Sequence, residues 1–253
     1  MLPVCILMGK QQEIVENWKL IFILSLLSMS LPFCLLAYAT LSIAAGSTSI
    51  INATVPFFTA ILGYTLWQQR LSLIPIVGML IGFFGVVLLM MDVSGPLSSS
   101  ASLLAIAAGL LASLIYGLAI NIVAQYLPTV SGVAMTTGSL LFSSVTLLPL
   151  ALWKMPETLP TGSIWLSVLG LGIICTGFAF VLFYWLIARV GPNLVVTNTF
   201  LIPFFGLFWG SLFLAEEVTL FMLFACSLVL FGVGLTTGSF KRLIKFCSAN
   251  RSR

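Results

Sequence analysis

The chain contains no histidine, and charged side chains make up only 6% of its 253 residues, ten Lys or Arg against six Asp or Glu. Without histidine there is no His-based catalytic triad and no His metal site. None of the few carboxylates falls in the middle third of a long apolar run, so no buried acid stands out as a proton carrier, and an enzyme is not expected. Cysteine is sparse as well. Cys5, Cys34, Cys175, Cys226 and Cys247 stand singly along the chain and suggest neither a disulfide framework nor a metal site. No metal and no cofactor are expected.

What the chain has in abundance is hydrocarbon. Hydrophobic residues are 60% of the total and the mean hydropathy is +1.22, far above a soluble domain, so the composition is that of an integral membrane protein. A helix needs about 20 apolar residues to cross a ~30 Å hydrocarbon core. Eight runs reach that length, at 18–41, 46–67, 71–91, 101–125, 130–153, 164–187, 191–214 and 218–239. Short breaks such as "AAGS", "QQR", "DVSGPLSSS" and "AEEVT" separate them and leave no room for a soluble domain. The first run is too long for the core of a secretory signal. The expected fold class is all-α, a polytopic membrane protein with eight transmembrane helices.

Lys and Arg collect in cytoplasmic loops. With the C-terminus inside, Lys10, Lys19, Arg70, Arg189, Lys241, Arg242, Lys245, Arg251 and Arg253 all fall on the cytoplasmic side and only Lys154 outside. Asp92, Glu157, Glu216 and Glu217 then fall outside, and both termini are cytoplasmic. The basic tail "KRLIKFCSANRSR" reads as a topology signal in preference to a nucleic-acid or anionic-lipid patch, so no nucleic-acid partner is expected.

The sequence is also duplicated. Sliding residues 33–86 by 147 positions, without a gap, puts Phe33 on Phe180, Pro56-Phe57-Phe58 on Pro203-Phe204-Phe205, Gly63 on Gly210, Leu73 on Leu220 and Phe84-Gly85-Val86 on Phe231-Gly232-Val233. The offset carries five spans, an odd number, so the two copies enter the membrane in opposite directions. Inverted repeats of this kind build many secondary transporters, with the site near the midplane where the halves meet. The expected boundary puts an incomplete repeat of three spans at 1–96, and a five-span repeat with the basic tail at 97–253. The opening "LPVCILMG" resembles "LPLALWKM" at 148–155, so the chain is expected to begin in the last turns of a second helix, with the first two helices of the repeat lacking.

The stretches "AYATLSIAAGSTSIINATVPFFTAILGYTLWQQRLS" with "GMLIGFFGVVLL", and "YWLIARVGPNLVVTNTFLIPFFGLFWGSLFLAEEVT" with "LVLFGVGL", resemble the EamA-type members of the drug/metabolite transporter superfamily. The resemblance runs from Leu20 to Thr237. It implies ten helices in two inverted five-helix repeats, and movement of small metabolites, commonly amino acids or related compounds. It also implies a Glu after each Pro-containing helix. Glu216 matches, whereas the first copy has Gln69 in its place.

Polar groups inside hydrocarbon must find partners, since an unpaired one costs several kcal/mol, by a rough estimate. Asn52 and Thr54 lie within about a turn of Pro56; Asn198 and Thr199 stand similarly before Pro203. A proline inside a helix frees a carbonyl about four residues earlier, here Asn52 and Thr199. Two readings stand side by side: a substrate cavity lined by these groups, or a plain kink with Asn as interhelical glue. Tyr38 and Tyr184 occupy corresponding helices, Tyr116 and Asn121 lie in the fourth span, and Trp209 follows Pro203 by six residues. Together with the two prolines these residues form the candidate binding set. Gly78-xxx-Gly82 and Gly234-xxx-Gly238 read as helix-packing positions.

The expectation is therefore an exporter of small, neutral or zwitterionic metabolites, such as amino acids, that works by alternating access in a bacterial inner membrane, as a monomer or homo-oligomer. The rival reading is a truncated, non-transporting scaffold or partner subunit.

Overall fold

In a bilayer core no water is available to the backbone, so an apolar chain must satisfy its peptide groups within each segment, and helices result. A computed structural model describes residues 1–68, 72–93, 100–153, 161–179, 181–182 and 201–238. Among the described residues there is no strand. The helices are α1 (Leu2–Leu7), α2 (Gln11–Glu16), α3 (Trp18–Ser25), α4 (Leu31–Ala39), α5 (Ala45–Asn52), α6 (Val55–Trp67), α7 (Leu73–Val93), α8 (Ser100–Tyr126), α9 (Gly132–Trp153), α10 (Gly162–Gly170), α11 (Leu201–Leu214) and α12 (Leu220–Thr237). A π-helical turn, Leu26–Ser30, joins α3 to α4, and a second, Leu171–Phe178, follows α10.

Trp18–Ala39, Ala45–Trp67, Ser102–Tyr126, Gly132–Trp153 and Leu220–Thr237 are long and apolar enough to cross a membrane. Leu73–Leu89, Gly162–Phe178 and Leu201–Leu214 are shorter apolar helices that stop close to the edges of the described residues. Each of the eight apolar runs in the sequence thus holds a helix, and the chain is an all-α polytopic membrane protein.

The helices pack as two compact units, Met1–Ser30 with Tyr126–Val196, and Leu31–Gln125 with Thr197–Arg253. In the first, α3 and its π-helical turn lie on α9. Ile21 and Leu24 are buried, and a Cβ on Gly138 would meet Ile21 Cγ2 at 2.7 Å, so a glycine is needed where the two helices approach. Ser30 Oγ shares hydrogen bonds with Ser143 Oγ at 2.9 Å and Thr146 Oγ1 at 3.0 Å, pairing hydroxyls that would otherwise face hydrocarbon. Glu13 Oε2 accepts from the Ser131 N–H, just ahead of α9, at 2.7 Å.

In the second unit, α7 and α12 pack antiparallel. A Cβ on Gly78 would meet the Gly232 carbonyl at 2.7 Å, and one on Gly85 would meet the Ala225 carbonyl at 2.9 Å. The 147-residue offset turns each of these contacts into the other: Gly78 becomes Ala225 and Gly85 becomes Gly232. A contact that maps onto itself in this way is what a local twofold relation between inverted copies produces. Two further irregularities recur at the same offset. The helices α6 and α11 end at Trp67 and Leu214, and each is followed by a non-glycine residue in the left-handed region, Gln68 and Ala215, both with φ of 52°. The π-helical turns Leu26–Ser30 and Leu171–Phe178 also overlap at that offset.

Candidate functional site

The Pro56 segment is built differently from a proline placed inside one continuous helix. Helix α5 stops at Asn52, Ala53 and Thr54 make a tight turn, and α6 restarts at Val55 with Pro56 in its first turn. The turn is bonded at short range, with Thr54 N–H donating to the Ile51 carbonyl at 3.0 Å and Phe57 N–H to the Thr54 carbonyl at 2.9 Å. In a first turn the missing proline N–H costs nothing, because that donor has no intrahelical acceptor. The expected kink at Pro56 is thus a junction of two half-helices through a 3₁₀-like joint, and none of the bonds just named uses the Asn52 carbonyl.

The two polar side chains at that joint fare differently. Thr54 is fully buried, and its Oγ1 donates to the Ile51 carbonyl at 2.7 Å. Asn52 Oδ1 is buried and has no hydrogen-bond partner among the described residues; on the same helix Ser47 Oγ is in the same condition. A buried acceptor left open costs roughly 1–3 kcal/mol, so α5 keeps two polar atoms at a cost that packing alone does not explain.

Asn121 has a clear structural task. Its Nδ2 donates to the Thr59 carbonyl on α6 and to the Gly117 carbonyl on its own helix, each at 2.9 Å. A Cβ on Gly117 would meet Thr59 N at 2.7 Å, so α8 and α6 touch backbone to backbone. Ser113 extends the seam, donating to the Ile51 carbonyl at 3.2 Å. Tyr116 is partly buried beside this seam on α8.

The remaining candidates are scattered. Tyr38, on α4, is 45% exposed. Pro203 is buried in α11, whereas Trp209 on the same helix is 47% exposed, edge-on to Phe208 at 4.9 Å and stacked on Phe213 at 5.3 Å. Tyr184, Asn198 and Thr199 lie outside the described residues, as do Gln69, Lys154 and the basic tail.

Glu216, which the charge pattern puts outside, makes a contact that the sequence does not by itself indicate. Its carboxylate accepts from the first two N–H groups of α5, Ala45 at 2.7 Å and Gly46 at 3.1 Å, where the helix dipole favours negative charge. Gly210 leaves no room for a Cβ beside that carboxyl, and α5 lies against α11 through Gly46 on Leu207 and Ser49 on Gly206. The signal was present in the sequence as a glycine at 46 and another at 210. Only the fold shows that they face the same carboxylate.

A groove of about 610 Å³ runs between α11 and α12, lined by Phe204, Leu207, Phe208, Leu223, Cys226 and Leu230 among others. None of the candidate binding residues lines it, and its apolar walls suit hydrocarbon better than a polar metabolite. The joint at Asn52 has the better chemistry for a polar solute.

Broken, glycine-packed helices in a chain of apolar spans define a polytopic membrane protein. The chain belongs to the EamA-like transporter family, whose pattern matches residues 1–91 and 103–238. It is similar to an uncharacterized transporter of Bacillus subtilis strain 168, YoaV, with 25% identity over 233 residues covering 90% of this chain and 78% of that one. It is also similar to an uncharacterized transporter of Archaeoglobus fulgidus, with 24% identity over 237 residues covering 91% and 81%. A crystal structure of a protein 20% identical to it superposes with a TM-score of 0.59 over 88% of this chain and 76% of that one, a likeness of fold. The protein is an integral membrane transporter, and its setting is the lipid bilayer.

Proposed function

We propose that this transporter exports small metabolites, neutral or zwitterionic compounds such as amino acids, by alternating access in a bacterial inner membrane with both termini in the cytoplasm. The central site is the joint between α5 and α6 together with the Pro203 helix. Asn52, Thr54, Pro56 and Pro203 form its floor, Tyr38, Tyr116 and Trp209 supply aromatic walls and Asn121 fixes the position of α6; Tyr184, Asn198 and Thr199, outside the described residues, belong to the proposed binding set by sequence alone. The boundary between repeats is placed at residues 96 and 97. The observation that carries the reading is the buried Asn52 Oδ1, without a partner among the described residues. Such an acceptor is worth retaining where a solute bearing N–H or O–H groups completes it.

The test is Asn52→Leu, reconstituted in liposomes loaded with labelled amino acids. Leucine removes an open acceptor from apolar surroundings, so the variant is expected to melt at the same temperature as the parent or higher, stabilised by up to about 1 kcal/mol. Efflux is expected to fall about tenfold or more, the effect of about 1.4 kcal/mol or more. Full efflux by a stable Asn52→Leu protein returns Asn52 to a packing role.

A further inference from the structure

Glu216 is fixed at three points. Its backbone N–H donates to the Gly210 carbonyl at 3.2 Å, and its two carboxylate oxygens accept from Ala45 and Gly46 at the start of α5. The residue before it, Ala215, takes the left-handed conformation that turns the chain toward α5. On the sequence boundaries given above, α5 comes from the first repeat and Glu216 from the second, so the contact ties one repeat to the other at one end of the α5–α11 seam. Below it the seam is shut by side chains of almost no size, Gly46, Ser49, Gly206 and Gly210.

The residue types that make this tie do not recur at the sequence offset. The 147-residue offset places Gln69 opposite Glu216 and Pro192 opposite Ala45. An amide carries no charge, and proline has no N–H to give. Those positions lie outside the described residues. The Glu216 contact has a charged acceptor facing two donors; the residues at its sequence offset lack the charge and one of the donors. Charge-assisted hydrogen bonds are roughly twice as strong as neutral ones.

We propose that Glu216 is a positioning residue for transport: its carboxylate latches the start of α5 to the end of α11, holding the seam shut at that end and biasing the resting carrier to open at the other. No titratable side chain lies on α5 or α11, and Glu217 is the one charged neighbour in the connecting segment. The consequence for transport rests on the alternating-access reading above; the latch itself does not.

The experiment reads the latch without substrate. The five native cysteines are replaced, a single cysteine is placed at Ser49, and its reaction with a membrane-impermeant thiol reagent applied from the Glu216 side is timed in proteoliposomes. Glu216→Gln keeps the shape and removes the charge, and is expected to raise the labelling rate about tenfold. Ala45→Pro removes the donor at 2.7 Å from the other partner. Proline is well tolerated at the first position of a helix, and Ala44, with φ −57° and ψ 146°, already has the conformation a following proline requires. It is expected to act in the same direction, and the double variant to fall short of the product of the two single effects, since the two changes share the Ala45 contact. Unchanged labelling in either single variant, or effects that multiply in the double, overturns the latch. If one variant does not insert, the other decides alone. Faster labelling in a protein that moves no solute leaves the latch standing and removes the carrier reading.

Discussion

At the scale of single residues, the chain uses its few charges as fasteners for helix ends. Glu13 is a second example of what Glu216 does. The Lys10 ammonium at 2.6 Å, and after it the Ser131 N–H, hold the Glu13 carboxyl at about 2, below its ordinary 4.5. A carboxyl depressed in the folded state adds stability that is complete above the unfolded value and is lost as pH falls toward the folded one. The difference in melting temperature between the parent and Glu13→Gln in detergent is therefore expected to be steady above about pH 4.5 and to shrink from there down to about pH 2. A difference that does not change with pH contradicts this role. Residue identity alone made Asn52 and Asn121 look alike, each an amide in an apolar run. Their difference depends on a neighbour 62 positions away in the chain, the Thr59 carbonyl that Asn121 meets, and no local pattern reports such a distance.

At the scale of elements, helix positions were legible because eight long apolar runs leave the backbone one way to bond itself in a bilayer. What happens inside a run was less so. Pro56 announced an irregularity, but whether a proline bends a helix or begins one depends on the bonds made just before it, here by Thr54 to Ile51. The glycine motifs divide in the same way. Gly78 and Gly82 do lie in a helix contact, Gly78 on the Gly232 carbonyl and Gly82 against the Phe57 ring. Gly238, read as the same kind of position, instead ends α12 with φ 67° and open space where a Cβ would lie. The glycine that α12 brings to its contact with Gly78 and Gly82 is Gly232, which the four-residue spacing does not select. Gly232→Leu is expected to separate α7 from α12 and destabilise the protein by about 1–3 kcal/mol, the usual cost of overpacking. Gly238→Ala meets no atom and is expected to cost only about 1 kcal/mol, from the left-handed conformation. Thermal unfolding in detergent ranks the two; an equal or reversed ranking would show that α7 and α12 do not meet through Gly232.

At the scale of the whole molecule, several local features recur at the 147-residue offset: the helix ends at Gln68 and Ala215, the π-helical turns, and the self-mapping contact of α7 with α12. The compact units do not follow the sequence halves, for each gathers helices from both ends of the chain. Packing sorts helices by the faces they share, and a repeat boundary in the sequence carries no information about those faces. Membership of the EamA-like transporter family accounts for the scaffold. The open acceptor at Asn52 is where the proposed carrier mechanism is most exposed to test. Alternating access requires that position to face each side of the membrane in turn. The most direct measurement places a single cysteine at Asn52 in a chain without native cysteines and times its reaction with an impermeant thiol reagent, in intact cells and again in inverted vesicles. Reaction from both sides is the predicted result, faster from the side opposite Glu216; reaction from neither side, or from one side alone, would contradict it.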